Sequence, residues 1–128
     1  MKKLIKISAL IIGIIILLFI LNYYILKNTA EINQHNIGTS GNSVYLHIDG
    51  HQEAVYDKDG NLVTDSINMG TYNFCNPIND PICHFMLDTY PWIKWGTSPN
   101  DSTTKKQRLI AFLKDYFDGF KRTFGLKE

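Results

Sequence analysis

Residues 7–21 read ISALIIGIIILLFIL, fifteen positions without a charge. At 1.5 Å rise per residue such a helix spans about 22 Å, short of the roughly 30 Å hydrocarbon core. Leu4 and Ile5 before the run, and Tyr23, Tyr24, Ile25 and Leu26 after it, extend its apolar character. Counted over 4–26 the helix reaches about 34 Å, enough to cross a bilayer. Lys6 lies near one end, where a long side chain snorkels to the headgroups. Tyr23 and Tyr24 lie where an aromatic belt belongs. A simple cytosolic protein is excluded.

Charge sets the orientation. Lys2, Lys3 and Lys6 precede the run, whereas only Lys27, with Glu31 nearby, follows it. The positive-inside rule then puts the N-terminus in the cytoplasm and everything after about residue 28 outside, in a bacterium the periplasm or cell exterior. A cleaved signal peptide competes with this signal-anchor. The match to a cleavage site is poor at Asn22, Tyr23 and Tyr24 and weak at Asn28-Thr29-Ala30. Either reading exports the remainder.

The exported part is acidic. Four of the thirteen basic residues and none of the twelve acidic ones precede residue 31, so 31–128 carries nine against twelve, a net charge of about −3. No basic stripe marks a nucleic-acid surface, and no nucleic-acid partner is expected. Residues 28–43 are mostly Asn, Gln, Gly, Ser and Thr and read as a linker or loosely packed lead-in. The expected organisation is a transmembrane anchor over 1–27, a linker over 28–43, and a small periplasmic α+β domain over 44–128. A domain that small is marginal without a staple.

Its first half reads as β. Val44, Leu46 and Ile48 alternate with Tyr45, His47 and Asp49 until Gly50. Asp59-Gly60 between Val55-Tyr56 and Leu62-Val63 is a hairpin signal. Asp57, Asp59 and Asn61 hint at a calcium loop, but Gly60 stands at its fourth place and Asn68 at its twelfth, which fits no such loop. Cys75 and Cys83, an even pair in an oxidising compartment, are expected to form a disulfide.

The second half reads as helical. Asp80-Pro81 starts a helix that runs from His84 to Tyr90 and ends at Pro91. A longer helix follows the caps at 99–102 and repeats Leu109, Leu113, Tyr116, Phe117, Phe120 and Phe124 at helical spacing. This stripe is expected to pack on the sheet; the alternative is an interfacial helix, rich in Lys, Arg and Phe.

Four residues form a candidate catalytic set: His84 and Asp88, four apart on one helical face, and His51 and Glu53, on one face of an extended segment. A carboxylate beside His84 would orient it as a base. Two His and a carboxylate also make a zinc-type set. Neither His-Glu-x-x-His nor Cys-x-x-Cys occurs, and no metal or cofactor is expected. Candidate binding residues are Asn68 and Tyr72, in a segment where Gly70 permits close backbone approach, and Trp92 and Trp95, three apart.

The run 53–57 (EAVYD) with 60–65 (GNLVTD) resembles the tyrosine-aspartate repeat style of bacterial Rhs proteins. The continuation through Asn68-Met69-Gly70-Thr71-Tyr72-Asn73, His84-Phe85, Asp88, Pro91-Trp92, Trp95-Gly96 and 98–101 resembles a small C-terminal domain of polymorphic-toxin and type VI secretion-associated proteins. The likeness covers about half the chain and lacks the Rhs shell. It implies interbacterial competition. It also implies that His51, Glu53, Asn68, Tyr72, His84 and Asp88 share a cleft or act as shared fold determinants.

The reading that results is a single-pass inner-membrane protein, bound to lipid through 4–26, whose periplasmic domain is an interaction module of the toxin and secretion repertoire. An envelope protein or peptidoglycan is the expected partner. The alternative is a small envelope-directed hydrolase using His84, Asp88, His51 and Glu53. A third reading, membrane perturbation, requires the Phe-rich helix to be exposed.

Overall fold

A computed structural model describes residues 2–127, with side chains from residue 5 onward. Helix α1 (Lys2–Lys27) leads through a 3-10 turn (Asn33–His35) to strands β1 (Ser43–Leu46) and β2 (Glu53–Tyr56). Then come α2 (Pro81–His84), a π-helical stretch (Phe85–Thr89), α3 (Tyr90–Trp95) and α4 (Lys105–Thr123). The class is α+β, with one two-stranded antiparallel sheet among the described residues.

Within α1, Ile5–Lys27 has the length and composition to cross a membrane, as a single-pass anchor or a signal sequence does. Its side chains are exposed through Ile20, whereas Ile25 and Leu26 are buried where α1 packs on α4. Gly119 permits that contact: a Cβ there would meet Thr29 Oγ1 at 2.5 Å and the Ile25 carbonyl at 2.6 Å. Tyr116 Oη donates to Asn22 Oδ1 at 2.6 Å, and Asn28 Nδ2 donates to Thr123 Oγ1 at 3.0 Å across the same seam.

Residues 28–43 are not a loose linker. Gln34, His35 and Asn42 are buried. The Asn33 and Gln34 amides donate to the Asp115 carboxylate at 2.9 and 3.1 Å. Asn68 clamps Ile37, accepting from its amide at 2.9 Å and donating to its carbonyl at 3.2 Å. The polar composition that reads as solvated here satisfies buried backbone groups instead.

Val44 pairs with Val55, which is fully buried. The alternation ends at Leu46, and Ile48 is 96% exposed. The turn after β2 forms as expected: Asp57 Oδ1 accepts from the Asp59 and Asn61 amides at 2.9 and 2.8 Å. The return arm shrinks to one bridge, Tyr56 to Leu62, because Leu62 is exposed and no burial holds a longer ladder. Residues 71–73 take that place beside the start of β2, with Glu53 N–H donating to the Thr71 carbonyl at 3.1 Å and Asn73 N–H to the His51 carbonyl at 2.8 Å. Gly70 is what lets them in, since a Cβ there would fall 2.1 Å from the Glu53 carbonyl oxygen.

Cys75 and Cys83 are disulfide-bonded, with Cα atoms 5.8 Å apart. The helix that follows does not stop at Pro91. A π-helical stretch precedes it, with the Tyr90 amide reaching back to the Phe85 carbonyl, and Pro91 falls in the first turn of α3, where its missing N–H is harmless.

Helix α4 starts at Thr104 through a capping box with Gln107, two residues beyond the caps expected at 99–102. Its buried face is Arg108, Ala111, Asp115 and Gly119. The apolar stripe does not pack on the sheet: Leu109, Leu113 and Phe117 are 41%, 51% and 58% exposed. The inner face is taken by groups with partners, and the sheet is too small to cover a second face. Arg108 Nε donates to the Ile93 carbonyl at 3.0 Å, and Asp115 holds the lead-in.

Candidate functional site

A cleft of about 260 Å³ opens beside α3, with Trp92, Trp95, Tyr72 and Phe74 among its walls. Beneath them lie Glu31, His35, Glu53, His84 and Asp88. Chain segments far apart in sequence supply this floor. Residues 28–37 bring Glu31 and His35, β2 brings Glu53, and α2 with the π-helical stretch brings His84 and Asp88.

His84 sits between two carboxylates. Its Nε2 lies 2.5 Å from Glu31 Oε1, and its Nδ1 lies 3.2 Å from both Asp88 Oδ2 and the Cys75 carbonyl. A carbonyl only accepts, so Nδ1 carries a hydrogen. Burial alone would depress the pKa of His84. The hydrogen bond and charge of Glu31, with the charges of Asp88 and Glu53, outweigh it and lift the ring to about 9. Asp88 is fixed in turn by the Phe74 and Cys75 amides at 2.8 and 3.1 Å, which ties the cystine loop to the site.

His35 and Glu53 form the second pair, Nε2 to Oε2 at 3.3 Å, and both side chains are buried. His35 Nδ1–H donates to the Asn68 carbonyl at 3.2 Å. Burial works against this ring's charge, but the hydrogen bond and charge of Glu53 win, and its pKa is raised. Burial likewise pushes Glu53 up, yet His35 and the Asn73 amide, donating at 2.8 Å, hold it down to about 2. Glu31, His35 and Glu53 are also the one group among the described residues with metal-ligand spacing, their ligand atoms all within 4.8 Å of one another.

Of the residues singled out in the sequence, Glu53, His84 and Asp88 border the cleft, as do Tyr72, Trp92 and Trp95. His51 does not; its ring stacks on Tyr72 and its Nδ1 lies 2.9 Å from the Asn73 carbonyl. Asn68 stands behind His35 and clamps the lead-in rather than lining the cleft. Trp92 Nε1 donates to Thr97 Oγ1 at 3.1 Å, while Trp95 is 65% exposed. Glu31 and His35 were not singled out, although they repeat the four-residue spacing of His84 and Asp88.

Chemically the floor is a set of ion pairs with one carboxylate in excess, Glu31, Glu53 and Asp88 against His35 and His84. His84 is a cation whose two N–H groups are committed, so it donates and does not abstract a proton at neutral pH. Neither a serine nor a free thiol borders the cleft, and both cysteines are bridged. No protein-family model, curated protein or solved structure matches this chain.

Proposed function

We propose that the chain is a single-pass, membrane-anchored interaction module of the bacterial envelope, with its domain on the extracytoplasmic side and α4 lying on the bilayer. The observation that carries this reading is the exposed stripe of Leu109, Leu113 and Phe117 on a helix clamped to the end of the anchor. Ile110 and Phe124 widen the stripe, and Lys105, Lys106, Lys114 and Lys121 accompany it. An apolar face with basic company, held beside a spanning helix, suits an anionic lipid surface. The aromatic walls of the cleft, with Tyr72, Phe74 and Trp95 exposed, are the surface offered to a partner, an envelope protein or peptidoglycan.

Orientation rests on the lysines before the anchor and on the Cys75–Cys83 bridge, which belongs in an oxidising compartment. Retention of the anchor is favoured because cutting after Ala30 would remove Ile25, Leu26 and Thr29 from the seam with α4. A place in the toxin and secretion repertoire rests on the resemblance over residues 51–101. The hydrolase reading has less support, since both nitrogens of His84 are engaged.

The test is thiol labelling of the full chain in native membranes. A Leu113→Cys variant is expected to resist a membrane-impermeant maleimide in intact spheroplasts, while Asp59→Cys in the exposed turn reacts. Equal reaction at both positions would contradict the lipid-seated helix. Reaction at Asp59→Cys only after lysis would contradict the orientation.

A further inference from the structure

The floor of the cleft is built like a metal centre. Each of three residues has its own outer partner. Glu31 Oε1 accepts from His84 Nε2 at 2.5 Å, His35 Nδ1–H donates to the Asn68 carbonyl at 3.2 Å, and Glu53 Oε1 accepts from Asn73 Nδ2 at 2.8 Å. His35 Nε2 and the second oxygen of each carboxylate then serve as ligand atoms; Glu53 Oε2 pairs with His35 Nε2 at 3.3 Å and accepts from Thr71 Oγ1 at a long 3.5 Å. Orientation of ligands by outer hydrogen bonds is how proteins fix metal sites. The 3.3 Å between His35 Nε2 and Glu53 Oε2 matches the edge of a tetrahedron with bonds of about 2.0–2.1 Å, roughly 3.3–3.4 Å.

An independent observation points the same way. Gln34 borders the same cleft, is buried, and its Nε2 has no hydrogen-bond partner. A buried donor without an acceptor is destabilising, and an oxygen held in the cleft would satisfy it.

We propose that Glu31, His35 and Glu53 bind one divalent transition-metal ion, for which zinc is the probe, with a further coordination position open to the cleft and Gln34 donating to the oxygen ligand held there. The proton between His35 Nε2 and Glu53 Oε2 leaves to solvent as the ion takes its place. His84 stays outside as the positioning residue of Glu31. This site does not depend on how α4 meets the membrane, so either reading can fail alone.

The experiment is calorimetric titration of the chelator-stripped full chain in lipid nanodiscs with zinc chloride, alongside thermal melting and zinc-edge X-ray absorption. The expected result is one ion per chain, a melting point raised by about 5 °C or more at saturating zinc, and a shell of nitrogen and oxygen with one imidazole. Glu31→Gln keeps the size and the acceptor for His84, and is expected to weaken binding at least tenfold. His47→Ala, which breaks the exposed His47–Asp49 pair, is expected to leave binding unchanged. Absence of zinc binding, undiminished binding by Glu31→Gln, loss of binding in His47→Ala, or sulfur in the shell would each overturn the proposal. His35→Gln, which removes the one imidazole ligand, is expected to abolish binding; should it fail to fold, the Glu31→Gln comparison still decides.

Discussion

The interior of this molecule and its helical exterior reverse the usual arrangement. Among the described residues seven apolar side chains are buried, Pro81 included, against nine polar or charged ones, including His35, His84, Arg108 and Asp115. Outside, α1 shows Ile, Leu and Phe along most of its length, and α4 shows Leu109, Leu113 and Phe117. The inversion has a physical reading. An interior that polar is held by matched charges and by polar side chains bonded to backbone, so removing one partner is expensive. An exterior that apolar is at rest only where lipid or a partner replaces water. The two helices also differ from each other: α1 is apolar all round, as a spanning helix is, whereas α4 is apolar on one face, as a surface-lying helix is.

The polar interior is the more sensitive of the two regions. His84→Ala strips the common partner from Glu31 and Asp88, and is expected to destabilise the domain by about 3–5 kcal/mol in denaturant unfolding. A loss below about 1 kcal/mol would mean that the carboxylates are hydrated in the absence of the ring. Gly119→Val strikes the seam between the two exteriors, where a Cβ meets Thr29 and the Ile25 carbonyl. It is expected to lower stability by about 2–3 kcal/mol. A native melting temperature would show that α1 and α4 are not packed as described.

Asp115 sharpens the contrast through pH. Burial raises its pKa to about 6, with Glu31 adding to the rise, although the amides of Asn33 and Gln34 pull it down. A carboxyl raised on folding contributes stability that is complete below its ordinary value near 3.8 and lost as pH rises through about 6. Stability attributable to this group should therefore fall between about pH 4 and 6, by roughly 2 kcal/mol. Asp115→Asn removes that slope, and unfolding midpoints across the window measure it. An unchanged slope would assign the titration to another group. The smallest effect on stability is expected outside: Leu113→Asp should change unfolding by less than about 0.5 kcal/mol while it weakens the hold of α4 on lipid. A large loss of stability in this variant would mean that the stripe packs inside the protein.

Much of this fold is legible in the sequence, and the reasons for the rest are local. The anchor, the strand alternation through Leu46, the cysteine pair and the His84–Asp88 pairing all follow from short-range spacing. The lead-in does not, because polar residues that solvate a linker look the same as polar residues that clamp a core. Glu31 and His35 were hidden there, and their partners His84 and Glu53 lie 53 and 18 residues away. The four-residue spacing of Glu31 and His35 was the available signal. The helical period of α4 was plain in the sequence, but period alone says which residues share a face and not which face turns inward. Arg108 and Asp115, charged residues opposite the apolar stripe, anchor the buried side.

Whether α4 lies on the bilayer that α1 crosses can be read by fluorescence quenching. A Phe117→Trp chain, with Trp92 and Trp95 replaced by Phe, would be placed in nanodiscs of anionic lipid brominated in the acyl chains. A lipid-seated helix is expected to show strong quenching by the brominated lipid and little by aqueous iodide. Strong iodide quenching with none from the lipid would contradict it.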